Sequence, residues 1–250
     1  MVEMNTRYGS TTRTAAEIDE GLRSYMLTVY NYMASALILT GLAAYVTANV
    51  PAVLELLYSF VQGPDGGIYL TGMKPLGWVI AFSPLAMVFL ISARVHKMQS
   101  STAQILFWVF AGLMGMSLAS ILFTYTATSI AKTFFITAAA FGSLSLFGYT
   151  TKKNLSGMGS FLFMGLIGLI IAMIVNFFLQ SSMMEFVISV VGVLIFAGLT
   201  AYDTQRIKLM YMAEDGSEMA SKKAIMGALS LYLNFINMFL FLLQFFGNRE

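Results

Sequence analysis

Asp203 is the one carboxylate that lies firmly within a long apolar run of this chain, at the end of Gly198-Leu199-Thr200-Ala201-Tyr202-Asp203 and just ahead of Thr204-Gln205-Arg206-Ile207-Lys208. An ionisable group in such a run is costly to hold there and marks a functional site by default. A carboxylate in that place can take up a proton or attract a cation. It can equally be a helix-end charge solvated by headgroup water or paired with Arg206 or Lys208, and the sequence leaves both readings open. Glu185 sits at the outer start of the same run, where water reaches it. A second feature lies near the C-terminus. Ser230, Asn234, Asn237 and Gln244 are spaced by four, three and seven residues, one stripe at helical period on an otherwise apolar segment. Such a stripe faces protein or a water-filled path, with ordinary amide hydrogen bonds between helices as the structural alternative. Arg94 closes another apolar run. It either snorkels to the surface or turns inward as counter-ion to Asp203.

Several catalytic chemistries lack their parts. Intramembrane aspartyl proteolysis needs two carboxylates sharing a proton, and no second aspartate or GxGD stands in any apolar run. Gly157-Met158-Gly159-Ser160 faintly resembles a serine-protease elbow, but no run contains a histidine to act as base. The only histidine, His96, lies between Arg94 and Lys97 and reads as surface; alone it makes no metal site. The last run has no lysine for a retinal Schiff base, and with no cysteine there is neither thiol chemistry nor a disulfide. The 19 methionines have no other soft ligands beside them and read as adaptable packing. A non-enzyme without a tightly bound cofactor is expected.

The elements that must position these residues are membrane helices. Of 250 residues, 58% are hydrophobic and 10% charged, against roughly 25% charged in an ordinary soluble domain. The mean hydropathy of +0.77 comes from separate long runs. Crossing the hydrocarbon takes about 20 apolar residues, and seven stretches qualify: about Tyr25–Ala48, Pro75–Ala93, Thr102–Tyr125, Ser129–Tyr149, Met158–Leu179, Met184–Asp203 and Ala224–Phe246. The reading is therefore an all-α integral membrane protein with a polar tail over residues 1–23 and a seven-helix domain over 24–250. With one polar-striped span among seven, the economical arrangement puts the seventh helix centrally, its stripe turned towards Asp203 and Arg94. The tail lacks the order of a signal peptide. Connections are short except Asn49–Lys74 and Thr204–Lys223.

Lys and Arg fall eleven on one side of the seven spans and three (Lys74, Lys132, Arg249) on the other. The positive-inside rule then predicts a cytoplasmic N-terminus, with Arg7, Arg13 and Arg23, and an external C-terminus. The net charge of +2 and the absence of a basic block exclude nucleic acid as a partner. Small residues at close-packing spacings (Gly112, Gly115 and Ser117; Gly142, Ser145 and Gly148; Gly165 and Gly168; Gly192 and Gly198) predict tight helix contacts. Pro84 in mid-span predicts a kink and an unpaired carbonyl.

As a set, four segments resemble the Bax inhibitor (TMBIM) family in its bacterial branch: the run Gly198–Lys208; Gly227-Ala228-Leu229-Ser230-Leu231-Tyr232-Leu233-Asn234-Phe235-Ile236-Asn237-Met238-Phe239-Leu240; Phe147–Ser156; and Gly112–Leu118. The likeness runs from about Ser24 to the end. It implies six helices around a central seventh and a pH-sensitive calcium leak whose sensor is a pair of aspartates, with an arginine of the second helix as latch partner in some members. Carried across, Asp203 matches the first aspartate and Arg94 the arginine, while the second aspartate falls on Asn234. Two close carboxylates titrate as a coupled pair; an asparagine is permanently neutral. The expectation is a blunted pH switch, with Asp203 ionised over a wider pH range, accepting a hydrogen bond from Asn234, and with Arg94 as a candidate ion-pair partner.

The leading expectation is a leak pathway for calcium, with protons as a second candidate ion, gated at Asp203, Asn234 and Arg94. Calcium is the transported ion and binds only weakly at Asp203 and Asn234, since it prefers six to eight oxygens. The alternative is a membrane-embedded regulator or scaffold acting on other membrane proteins such as proteases or cell-death factors. On resemblance the location is the inner membrane of a bacterium.

Overall fold

Long apolar runs fix where the chain crosses lipid, and in lipid every backbone polar group must be satisfied within the segment, which leaves the helix as the solution for each run. The computed structural model describes residues 15–62 and 68–248; Arg7, Arg13, Arg249 and residues 63–67 of the long connection lie outside them. Among the described residues, seven helices are long and apolar enough to span a bilayer. They are α1 (Ala15–Asn49), α3 (Pro75–Arg94), α4 (Ser100–Leu118) continued by the single turn α5 (Ile121–Thr124), α6 (Ala127–Thr150), α7 (Ser156–Leu179), α8 (Ser182–Met210) and α9 (Ser217–Phe246). The short α2 (Pro51–Leu57) follows α1, and Pro51 and Pro75 each open their helix, where a missing N–H costs nothing.

The helices outrun the apolar stretches. Helix α1 begins inside the expected polar tail, α8 continues two turns past Asp203, and α9 starts seven residues before Ala224. Hydropathy marks the length immersed in hydrocarbon, whereas the hydrogen-bonded helix continues through the headgroups. The third span is a correction of another kind: it breaks at Ala119-Ser120 instead of running unbroken to Tyr125. The long connection Asn49–Lys74 also holds structure. Strands β1 (Tyr58–Gln62) and β2 (Ile68–Met73) pair antiparallel, Tyr58 opposite Met73. Tyr58 anchors the hairpin, buried at 2% exposure with its ring edge-on to Phe123.

Pro84 does stand inside α3. It cannot donate to the carbonyl four residues back, that of Ile80, and the Ser83 hydroxyl donates to that oxygen instead at 2.8 Å.

Helix α9 is the centre. In its most apolar window 72% of residues are buried, against 39% in α8 and less in every other span. It packs against α1, α4, α6 and α8, while α3 rests on α4 and α7 on α8. The expected six-around-one arrangement therefore has four helices in direct contact with the axis and two one layer out. Tyr232 pins α9 in place: its ring meets Phe107 and Phe110 edge-on, and its hydroxyl lies 2.7 Å from Thr40 Oγ1, which also donates to the Ala111 carbonyl. Glycines permit close approaches between the helices. A Cβ at Gly148 would strike the backbone carbonyl of Ala201, and one at Gly192 would lie 2.6 Å from the Phe241 ring. Gly112, Gly142 and Gly168 meet nothing within 4 Å, so that part of the small-residue pattern is lipid- or cavity-facing and makes no close helix contact.

Candidate functional site

Three consecutive residues fix the rotation of α8. The Thr204 hydroxyl lies 2.9 Å from Ser145 of α6, and Ser145 in turn 2.6 Å from the Tyr30 hydroxyl of α1. Gln205 bridges to the α6–α7 connection, donating Nε2 to the Lys153 carbonyl and accepting the Leu155 N–H, both at 2.8 Å. With Thr204 and Gln205 committed to those neighbours, the 100° step per residue turns Asp203 towards α9.

There Asn234 Nδ2 donates to Asp203 Oδ2 at 2.8 Å. Both residues are buried, at 5% and 6% exposure. A buried ionised carboxylate is sustained only by such hydrogen bonds and nearby charge. The cation beside it is Arg206, one turn along α8, with Nη1 3.8 Å from Asp203 Oδ1. Arg206 is 46% exposed, so solvent screens that attraction.

Asp203, Arg206 and the whole polar stripe (Ser230, Asn234, Asn237 and Gln244) line one cavity of about 670 Å³, walled otherwise by side chains of α7, α8 and α9 such as Phe163, Met173, Leu199 and Phe241, and by Ile121 and Tyr125 at the end of the third span. From Ser230 to Gln244 the stripe covers fourteen residues. At 1.5 Å per residue that is roughly 21 Å, most of a hydrocarbon layer about 30 Å thick. Asn237 Nδ2 donates to the Leu233 carbonyl within the same helix at 2.8 Å.

Arg94 is the exception among the sequence-derived site residues. It is exposed at the end of α3, does not line the cavity and is not the cation at Asp203. The reason is architectural: α3 packs on α4 in the outer layer, away from α8 and the cavity face of α9. Of the candidate partners for Asp203, Arg206 makes the ion pair and Arg94 does not.

Sequence reading passed over the far end of the cavity. Gln244 Nε2 donates to Glu185 Oε1 at 2.9 Å, and Gln244 Oε1 accepts from the Ser189 hydroxyl at 2.8 Å. The signal was present. Glu185 and Asp203 are eighteen residues apart, five full turns, so both lie on one face of α8.

The family described as "Inhibitor of apoptosis-promoting Bax1" matches residues 22–250. An uncharacterized protein of Rickettsia prowazekii (strain Madrid E) is 49% identical over 245 residues, 98% of each chain. An uncharacterized protein of Caulobacter vibrioides is 51% identical over 240 residues, 95% of this chain and 94% of that one. The inner membrane protein YbhL of Escherichia coli (strain K12) is 45% identical over 232 residues, 92% of this chain and 94% of that one.

Proposed function

The chain belongs to the Bax inhibitor family, and from that premise we propose that it is a leak pathway for calcium, with protons able to share the route, in the inner membrane of a bacterium. The observation that carries this reading is that Asp203 and all four polar residues of the central helix face the same cavity, which follows α9 through most of a bilayer's thickness. A polar file on the buried axis of a lipid-embedded bundle has a use if ions or water pass along it.

Calcium fits this route as cargo. The donors around Asp203 are one carboxylate with amide and hydroxyl oxygens, and among the described residues no three His, Asp or Glu side chains group as a metal site. Tight calcium sites use six to eight oxygens with several carboxylates. A poorer set holds an ion briefly, as conduction requires. Asp203 supplies the charge that attracts the cation, the Asn234 N–H holds that carboxylate in place, and Arg206 competes with the cation for it. The Lys and Arg bias supports a cytoplasmic N-terminus and an external C-terminus.

Purified protein in dye-loaded liposomes tests the reading at about pH 6 and pH 8 on either side of neutrality, beside Asp203→Ala and Asn234→Asp. We expect calcium entry that Asp203→Ala alters and that becomes pH-dependent in Asn234→Asp, where two adjacent carboxyls share a proton. No flux above empty liposomes from folded protein overturns it and favours a regulator acting through other membrane proteins.

A further inference from the structure

Gln244 stands at the end of the cavity opposite Asp203. Gln244 lines both the 670 Å³ cavity and a separate one of about 210 Å³, whose other walls are Ser182, Glu185, Phe186, Ser189 and Phe245. Its amide therefore stands between the two spaces. Both ends of that amide are held, the nitrogen by Glu185 and the oxygen by buried Ser189. Glu185 and Ser189 project from the same face of α8 as Phe196, Leu199 and Asp203, a stripe at helical spacing. Across from it, Gly192 makes room for Phe241. The two carboxylates of this stripe are eighteen residues apart, roughly 27 Å along the helix.

We propose that Glu185, with Ser189 and Gln244, is a second cation station on the leak path, at its end opposite Asp203, and that the Gln244 side chain is the shutter between that station and the central cavity. The inference rests on the leak reading for what passes but not for the shutter itself. The Glu185 oxygen that accepts the Gln244 N–H is the one a hard divalent cation would take, since such ions select carboxylate and carbonyl oxygens. An amide N–H and a cation cannot share that oxygen well. A cation arriving at Glu185 releases the Gln244 nitrogen, the side chain turns, and its carbonyl oxygen becomes a ligand facing the incoming ion. The small cavity then joins the large one. Gln244 thus acts as a positioning residue in the closed state and as a ligand in the open state.

The chain has no cysteine, so a single reporter gives a clean test. Leu240→Cys places a thiol in the central cavity, one helical turn behind Gln244. Asn248→Cys, at an exposed position past the end of α9, reports in parallel that the reagent reaches that side. A charged, membrane-impermeant thiol reagent is added to sealed vesicles on the side where Asn248→Cys reacts. With Gln244 in place the cavity thiol reacts slowly. Gln244→Ala or the shorter Gln244→Asn speeds it by roughly tenfold, the factor that losing one charge-assisted hydrogen bond from the closed state supplies. Millimolar calcium speeds the parent in the same way but has no effect once Glu185→Gln is added. Monodisperse elution of each variant shows that it is folded. Equal labelling rates with and without the Gln244 side chain, or calcium acceleration that survives Glu185→Gln, overturn the proposal. Labelling controlled by Gln244 and Glu185 in a protein that passes no calcium sinks the leak and keeps the shutter; calcium flux with labelling indifferent to both residues does the reverse.

Discussion

Asn234 gives its amide N–H to Asp203 across the α8–α9 contact at 2.8 Å, and both residues are buried. Removing the donor alone leaves a buried acceptor unpaired. Asn234→Leu, close in shape and unable to donate, should therefore lower stability by about 1.5–3 kcal/mol. Asp203→Leu combined with Asn234→Leu should recover much of that loss, because neither polar group remains to be satisfied. Thermal unfolding of the four proteins in one detergent measures the coupling. Additive losses would mean that the contact does not bind the two helices.

Gly148 permits the closest backbone approach between α6 and α8, its missing Cβ occupied by the Ala201 carbonyl. A carbonyl on a packed helix cannot swing aside as a flexible side chain can. Gly148→Val should cost about 1–3 kcal/mol by overpacking and turn α8 enough to alter flux through the Asp203 cavity. Gly142→Ala, six residues earlier on a face with nothing within 4 Å, should be tolerated. Melting temperatures of the pair decide it.

Gln205 ties the α6–α7 connection to α8 through both ends of its amide. Gln205→Glu keeps the acceptor for the Leu155 N–H and loses the donor for the Lys153 carbonyl. It should retain more stability than Gln205→Leu, which loses both and leaves a buried N–H orphaned at a cost of about 1–3 kcal/mol. Hydrogen exchange at Leu155 is the direct readout, faster in Gln205→Leu than in Gln205→Glu.

Composition alone made the bundle legible, because a run such as Met158–Leu179 has no other stable form in lipid. The stripe of α9 was legible for the same reason that it works: polar side chains repeating at helical period in an apolar run cannot face hydrocarbon. What remained hidden depended on neighbours. Nothing in Arg94 itself says that α3 lies in the outer layer, so its match to a family arginine carried no geometry. Gln244 could be placed on the stripe, but its role as a partition needed Glu185, which looked like an ordinary interfacial charge. The hairpin over 58–73 escaped because short strands between Gly and Pro residues have no hydrophobic alternation long enough to detect.

Tyr58 lies outside the membrane spans, and burial raises its phenol above the ordinary 10.0, partly offset by hydrogen bonding to Ser120. A raised value means that the fold favours the neutral phenol. The contribution is complete below about pH 10, the ordinary value, and is lost as pH rises through the folded value. The melting temperature of the parent should therefore fall more steeply than that of Tyr58→Phe between pH 8 and about pH 11, the range in which tyrosine ionises. Parallel curves would show that the hydroxyl does not couple the hairpin to the bundle.

Arg206 and Arg94 make opposite predictions. Arg206 approaches the Asp203 carboxylate to 3.8 Å while remaining nearly half exposed; Arg94 is exposed on the outer layer and does not line the cavity. Neutralising Arg206 removes the cation that competes with a passing ion for Asp203. Arg206→Gln should thus change calcium flux, and change it more at about 10 mM salt than at about 150 mM, because a partly exposed charge is screened over a Debye length that shrinks from about 30 Å to about 8 Å. Arg94→Gln should leave flux near the parent's at both salt concentrations. Liposome assays with the two variants side by side measure this directly. A larger effect from Arg94→Gln would mean that α3 turns inward during conduction and brings its arginine to Asp203 in a second arrangement of the bundle.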